Sequence, residues 1–399
     1  MAKKVGFFGQ GDARADSKDI PEVGIGMIGY AFMGKAHCNA YKKIPYIYWP
    51  PTAKPRLIAI CGRNEAKVKE AKERYGFEKY YTDWREMLKD PDIQVIDNTA
   101  PNNAHKEACI AAAEAGKHIL CEKPLARDAT DAKQMLEAVK KAGVKHACAF
   151  NTRFVPAVRL AKNFIDEGRL GTIYHVRARF LQEWLVNPDL PHNWRLSKEV
   201  AGSGTLGDLA AHSIDVCRHL VGEPKCVSAM QTTFIKERPS ADDPSKKVPV
   251  DIDDATEVIW EFQNGAVGTL ESSRFCLGRK NDNSFEINGS KGSIAFNLED
   301  LNRIQVYLPD DEMPEVAGWH NVLVSEAFHP YWEVWWPHGH IIGWEHSFIH
   351  ELNHFLGAVA TGKDVGPDAA TFEDGYRNNV ICDAIVKAAE TGGRVTINY

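Results

Sequence analysis

Val23-Gly24-Ile25-Gly26-Met27-Ile28-Gly29-Tyr30-Ala31-Phe32-Met33-Gly34-Lys35-Ala36-His37 reads as a β-strand that turns sharply into a helix. Such a turn lets bare backbone approach a pyrophosphate, and the helix start then offers free N–H groups and the positive end of its dipole to the anion. In register, the fingerprint is Gly29-x-Ala31-x-x-Gly34, with alanine where a second glycine usually stands. Alanine serves there provided that the backbone does not need a positive φ. Phe32 and Met33 complete the turn and are expected beside the same dinucleotide. A glycine-rich turn by itself also serves packing in many αβ units, so its neighbours decide the reading.

Upstream, Gly6-Phe7-Phe8-Gly9-Gln10-Gly11 imitates the motif. Asp12-Ala13-Arg14-Ala15-Asp16 and then Ile20-Pro21 leave no room for an amphipathic helix after it, so residues 1–22 read as an N-terminal extension. Downstream, apolar β-rich segments at 56–61, 93–98, 118–120 and 146–149 alternate with amphipathic stretches at 65–75, 103–115 and 131–142. Gly116 and Gly143 follow two of those stretches, where a left-handed helix C-cap favours glycine. Strand–helix–strand repeated about five times predicts a doubly wound parallel α/β domain over 23–150.

The pattern changes after residue 150. Segments at 171–183, 225–236, 254–262, 265–275, 283–289 and 292–297 are rich in Val, Ile, Phe, Tyr and Thr, and Asn264-Gly265 and Asn288-Gly289 are hairpin signals. A large, open, mainly antiparallel sheet is expected, flanked by helices at 156–167, 205–221, 344–361 and 371–391. Residues 151–399 therefore read as a second, α+β domain for substrate and oligomer contacts. Segments 240–247 and 312–318 read as surface loops.

Composition narrows the class. The 399 residues are 44% hydrophobic and 26% charged, ordinary globular values. Lys and Arg total 48 against 54 Asp and Glu, a net charge of −6, which argues against a nucleic-acid partner. No apolar run approaches the ~18 residues of a membrane span. The nine cysteines are scattered, and no apolar segment follows the N-terminal lysines as in a signal peptide. Reduced thiols and a cytoplasmic location are expected.

After the second strand, an acidic side chain would bind an adenosine ribose 2′-hydroxyl and favour NAD. Here the chain has Cys61-Gly62-Arg63-Asn64, with Lys67 following. Small and cationic groups suit a 2′-phosphate, so the cofactor is NAD or NADP with a lean to NADP; a solvated loop arginine is the alternative.

The next informative stretches are Asp97-Asn98-Thr99-Ala100-Pro101-Asn102-Asn103-Ala104-His105 and Gly116-Lys117-His118-Ile119-Leu120-Cys121-Glu122-Lys123-Pro124. Phe150-Asn151-Thr152-Arg153-Phe154-Val155-Pro156 and Ala201-Gly202-Ser203-Gly204-Thr205-Leu206-Gly207-Asp208-Leu209-Ala210-Ala211-His212 follow. Asp208 and His212, four apart on a helix after a glycine-rich loop, share one face. A carboxylate beside an imidazole orients it, and histidine can remove a hydroxyl proton near neutral pH. In order and spacing, with Glu-Lys-Pro as signature, residues 23 to 220 resemble the glucose-fructose oxidoreductase, inositol dehydrogenase and rhizopine-catabolism (Gfo/Idh/MocA) family. From about residue 225 onward only the strand and helix pattern agrees.

The resemblance implies that Lys123 sits beside the nicotinamide, with its ammonium at the reacting oxygen. His212 then takes the hydroxyl proton, Asp208 orients the imidazole, and hydride passes to the nicotinamide. Thr99, Pro101, Asn102, His105 and Glu122 would line the nicotinamide side, although Asn102 and Asn103 serve equally as helix caps. Asn151, Arg153, Trp194 and Arg195 would bound the substrate cleft, or else a domain interface. The family fold also occurs in non-catalytic sugar sensors and in glycoside-cleaving enzymes that use NAD transiently. Lys123, Asp208 and His212 argue against the sensor.

Two further motifs need weighing. His350-Glu351-Leu352-Asn353-His354 matches a zinc-peptidase pattern, but Trp344, Phe348, Leu352 and Phe355 have the spacing of a helix packed on a sheet. No metal is expected. Tyr331-Trp332-Glu333-Val334-Trp335-Trp336-Pro337-His338-Gly339-His340 reads as a cleft rim against which a sugar ring stacks, and Trp184, Asp189, His192 and Trp194 would add to it. Tyr46-Ile47-Tyr48-Trp49-Pro50-Pro51 is a second aromatic loop. These insertions resemble pyranoside-oxidising members of the family, of the levoglucosan dehydrogenase kind. The expectation is an NAD(P)-dependent dehydrogenase of a secondary ring hydroxyl in a sugar, anhydrosugar, glycoside or inositol. An open sheet with apolar residues on its free face further predicts a homodimer or homotetramer.

Overall fold

The computed structural model describes residues 20–309 and 313–399. The Gly6-to-Gly11 decoy, residues 1–19 of the extension and Glu312 lie outside the described residues. The first unit contains β1 (Glu22–Ile28), α1 (Phe32–Ile47), β2 (Lys54–Cys61), α2 (Glu65–Tyr75), β3 (Lys79–Tyr81), α3 (Trp84–Met87), β4 (Val95–Asn98), α4 (His105–Glu114), β5 (His118–Glu122), α5 (Ala129–Ala142) and β6 (His146–Ala149). All six strands are parallel, in the order β3-β2-β1-β4-β5-β6. The order reverses between β1 and β4, and in such sheets the crevice outside those carboxyl ends is where ligands bind. Thr99 meets Gly29 at that switch point, its amide donating to Ile28 O at 2.8 Å.

Local chemistry explains the element ends. Asn64 caps α2 by accepting the Lys67 amide, and Gly76 closes it in the left-handed conformation. Asp128 caps α5 and Gly143 closes it in the same way, which bears out the glycine stops. β3 has only three half-buried residues, too few to show periodicity in the sequence.

The second unit begins with α6 (Pro156–Asp166), β7 (Ile173–Leu181), α7 (Lys198–Ala201), α8 (Ala211–Leu220), β8 (Pro224–Thr232), β9 (Glu237–Pro239), β10 (Lys247–Pro249), β11 (Ala255–Phe262) and β12 (Val267–Ser273). It continues through β13 (Asp282–Gly289), β14 (Ser293–Asn297), β15 (Arg303–Tyr307), β16 (His320–Leu323), α9 (Glu345–Thr361), α10 (Phe372–Thr391) and β17 (Val395–Thr396). Nine strands form one sheet, in the order β16-β15-β14-β13-β7-β12-β11-β8-β17. It is antiparallel except for β7 and β12, which run parallel. The sheet is thus mainly antiparallel, as expected; β12 and β13 follow each other in the chain, run in opposite directions and straddle β7, so one of them shares its direction. The sequence reading also passed over β15, whose alternation rests on only Ile304 and Val306.

One face of this sheet packs on α6, α8 and α10 through Val158, Ile214, Ile381 and Ile385 against Val176, Trp260, Leu270 and Ile287. The other face leaves Tyr174, Met230, Ile259 and Val267 exposed. The first sheet ends with β6 at Ala149 and the second begins with β7 at Ile173, while the last two helices pack on both units. Phe348, Leu352 and Phe355 of α9 join the core around Val23, Ile25 and Tyr41, and Phe372 of α10 joins the core around Ile119 and Cys148. All nine cysteines are free, eight of them buried. No helix among the described residues is long and apolar enough to cross a membrane.

Candidate active site

The cofactor turn has the conformation that its sequence predicts. Gly29 has φ +100°, and a Cβ there would stand 2.7 Å from Thr99 Oγ1, so this position excludes side chains. Ala31 has φ −79°, which explains why alanine replaces a glycine in the fingerprint. It precedes α1 without any side-chain cap, so the first amides of a 16-residue helix stay free for an anion. These features fit a dinucleotide pyrophosphate. Gly34 is buried behind the turn, and Phe32 is 63% exposed with Met33 half-buried beside it. The Phe32 ring stacks on Trp344, with centroids 5.6 Å apart and planes 8° from parallel. Arg63 is exposed after β2, and Asn64 is committed to its cap.

Lys123 follows β5, and its bond to Pro124 is cis. Its Nζ donates to the main-chain carbonyl oxygen of Asp208 at 2.5 Å and lies 3.5 Å from Asp208 Oδ1. Asp208 belongs to a π-helical turn, Leu206–Ala210, which runs into α8. The Asp208-to-His212 spacing therefore passes through that turn rather than through a regular helix; such turns frequently mark functional sites. The glycine loop before it is clamped by Asp253. Its carboxylate accepts the amides of Gly204 at 2.6 Å and Leu206 at 2.8 Å, and its carbonyl accepts that of Thr205. A Cβ at Gly204 would fall 1.9 Å from Asp253 O, so only glycine allows this approach.

His212 sits between Phe150 and Phe180, with ring centroids 6.0 and 5.9 Å away. Its Nδ1 is buried and has no hydrogen-bond partner. The expected Asp208–His212 hydrogen bond is not formed. The Asp208 carboxylate instead lies between Lys123 and Arg274, whose Nη1 is 3.7 Å from Oδ2. Burial, with the Lys123 charge beside it, holds His212 well below the usual imidazole range against the opposing pull of Asp208. Burial also works against the Asp208 charge, but Lys123, Arg274, Arg195 and His212 outweigh it and lower the carboxyl.

Arg274 and Asp253 are the site residues that the sequence reading missed. Arg274 is fully buried, its Nε and Nη1 have no hydrogen-bond partner, and its guanidinium lies over the Trp184 ring at 5.6 Å. Neither residue belongs to a local motif. Arg195 lies over Trp194 at 4.3 Å, and both are half-buried.

Several expected cleft residues are used inside the protein instead. Arg153 makes a two-pronged ion pair with Asp215 and reaches Asp374 and Pro367 O, so its buried guanidinium is engaged inside the protein. Asn151 is buried and donates to Ser347 Oγ. The His105 ring nitrogens lie 2.9 Å from Ala100 O and 3.1 Å from Pro124 O, bracing the loop after Lys123 from behind. Glu122 is buried between His37 and the Lys123 amide. Pro101 is half-buried, and Asn102 donates to Ala201 O across the gap between the two units.

The aromatic segment is also corrected. Trp332 and Trp335 are buried against α9, with Trp335 Nε1 donating to His350 Nε2, and Trp336 is the exposed member. They are core because they cover the apolar face of α9, sharing one buried cluster with Phe348, Leu352 and Phe355. The peptidase-like histidines are occupied as well, His350 by Trp335 and Phe154 O, and His354 by Val365 O.

A parallel sheet with a phosphate-binding turn at its switch point, and a lysine at the end of β5 that meets an aspartate and a histidine of the second unit, defines a dinucleotide-dependent oxidoreductase. Residues 23–150 match the oxidoreductase family with an NAD-binding Rossmann fold, and residues 158–295 match the GFO/IDH/MocA C-terminal domain. The chain belongs to the Gfo/Idh/MocA oxidoreductase family. It is 44% identical over 382 residues to levoglucosan dehydrogenase of Pseudarthrobacter phenanthrenivorans, covering 93% of this chain and 97% of that one. It is 27% identical to myo-inositol 2-dehydrogenase of Thermotoga maritima over 92% of this chain and 96% of the relative. A solved levoglucosan dehydrogenase in complex with NADH and levoglucosan superposes with a TM-score of 0.91, covering 95% of this chain and 100% of that one at 44% identity.

Proposed function

We infer that the protein is an NAD(P)-dependent dehydrogenase that oxidises a secondary ring hydroxyl of a sugar or anhydrosugar. Glycosides and inositols are the neighbouring substrate classes. The observation that carries this reading is the Lys123 ammonium held on Asp208 beside the buried, unpartnered His212. The levoglucosan dehydrogenase relative supports the anhydrosugar class.

The turn from Gly29 to Gly34, with Ala31, Phe32 and Met33, would hold the dinucleotide pyrophosphate, and Thr99, Pro101 and Asn102 would lie along its nicotinamide half. When bound, nicotinamide supplies the hydride acceptor. His212, kept neutral by its burial, takes the hydroxyl proton at its free nitrogen. Lys123 polarises the same oxygen, and Asp208 balances the charge that gathers on both. Trp194, Arg195, Trp184 and Arg274 would shape the sugar side.

The matching family model describes an NAD-binding Rossmann fold, and the solved levoglucosan dehydrogenase holds NADH, which supports NAD. We propose in addition that Arg63 favours NADP. Support comes from the exposed cation after β2 and from the lack of an acid in Gly62-Arg63-Asn64. A homodimer or homotetramer built on the free sheet face is the proposed assembly, and monomer alone by light scattering would remove it. The test of function is reduced-nicotinamide absorbance with NAD and NADP across sugars, anhydrosugars and inositols. Turnover of one ring polyol supports the reading. Tight cofactor binding with silence across the panel overturns it, as does sugar release without net reduced cofactor.

A further inference from the structure

We propose that His37 is a positioning residue for hydride transfer, acting through Glu122 to fix the main chain at Lys123 and to tie that lysine to the cofactor helix α1. This rests on the reading of Lys123 as the group at the reacting oxygen.

His37 closes the first stretch of α1 after the phosphate-binding turn, and none of its surface is exposed. Its Nδ1 faces both carboxylate oxygens of Asp97, at 3.0 and 2.9 Å, and its Nε2 lies 3.0 Å from Glu122 Oε1. A ring with carboxylates on both nitrogens donates from both, which the protonated imidazole does. Burial opposes that charge, and Asp97 and Glu122 outweigh it, raising His37 well above its ordinary value. Tyr41 donates to Asp97 Oδ2 at 3.0 Å and fixes the far carboxylate.

The second oxygen of Glu122 accepts the amide of Lys123 at 3.0 Å. One unbroken set of hydrogen bonds therefore runs from the cofactor helix through His37 and Glu122 to the lysine main chain. Lysine has a flexible four-carbon stem, so aiming its ammonium requires that both ends be held. Asp208 O holds the tip, and Glu122 holds the root. Glu351 also borders the cluster with both carboxylate oxygens unpartnered, and its burial raises its carboxyl well above the ordinary range against the pull of His37. A buried ion cluster is a weak device for stability alone, which leaves its connection to Lys123 to be explained.

The test is a double-mutant cycle of His37→Gln with Lys123→Met, assayed with a sugar that the panel shows is turned over. Misplacing a reacting group by 1 Å can cost about 10²-fold, so His37→Gln is expected to lower kcat by about 10- to 100-fold. The Kd for NADH, read by fluorescence titration, should stay within about threefold because the phosphate turn is untouched. In the Lys123→Met background, His37→Gln should cost nothing further, because its effect passes through the missing ammonium.

Equal losses in both backgrounds overturn the proposal, as does a wild-type kcat for His37→Gln. If Lys123→Met itself keeps wild-type turnover, the site reading has failed first, and that result is distinct. Should circular dichroism show His37→Gln to be unfolded, Glu122→Gln decides. It must show the same kcat loss and the same non-additivity with Lys123→Met, and wild-type turnover by it overturns the proposal.

Discussion

The ammonium of Lys123 donates to the main-chain carbonyl of Asp208 at 2.5 Å, while the Asp208 carboxylate stands 3.5 Å away and faces Arg274. The lysine tip is therefore anchored by backbone, and the carboxylate contributes mainly charge. Asp208→Asn keeps that anchor and removes only the charge. It should cost less kcat than Lys123→Met, for which a loss of about 10²–10³-fold is expected when a charge-stabilising donor is removed. Initial rates at saturating sugar distinguish the two, and an Asp208→Asn enzyme as inactive as Lys123→Met would make the carboxylate the main anchor.

Arg63 provides the cofactor prediction. Its side chain is exposed beyond β2, so Arg63→Ala should leave the fold and NAD kinetics unchanged. A lost charge-assisted contact to a 2′-phosphate should lower kcat/KM for NADP by about tenfold. Parallel titrations with both cofactors measure this, and an equal effect on both would reject discrimination by Arg63.

Arg153 should behave as a structural residue. Arg153→Met leaves Asp215 and Asp374 without their shared buried cation. Breaking a buried pair costs about 3–5 kcal/mol, so urea unfolding should shift strongly while the sugar KM of the folded enzyme stays unchanged. A raised KM at undiminished stability would return Arg153 to the cleft.

Acid should destabilise the protein through its buried neutral histidines. Burial lowers His146 to about 4 and His350 to about 3. Their folded-state values lie below the unfolded value near 6.5, so the stability they contribute is complete above that pH and is lost as pH falls. At pH 5 the unfolded chain gains protons that the native state refuses, costing about 2 kcal/mol for His146 alone. His37 runs the other way: its raised value gives stability that is complete below about 6.5 and lost as pH rises through its folded value, so it offsets part of the loss. Carboxyls raised in the same way, Glu257 to about 7 and the buried Glu351, also gain stability as pH falls, so the histidine share is read by comparison. The urea midpoint should fall less between pH 7 and pH 5 in His146→Gln than in the wild type, and an equal change in both would contradict it.

The parts of this protein that its sequence by itself determined are those set by local chemistry. Gly29 and Gly34 marked the phosphate turn, Gly116 and Gly143 marked helix ends, and period-two apolar runs marked most strands, because each depends on neighbours a few residues away. Asp208 and His212 drew notice by their four-residue spacing after a glycine loop, whereas Lys123 was singled out through the family resemblance. Tertiary structure alone decided which polar side chains face the cleft. Arg153, Glu122 and His105 look like site residues in the sequence, yet Asp215, His37 and the Pro124 carbonyl take them up inside. Arg274 and Asp253 carry no motif, yet the second sheet brings them to Asp208 and to the glycine loop. A buried charge must find its partner wherever the fold places one, and that partner can come from anywhere along the chain.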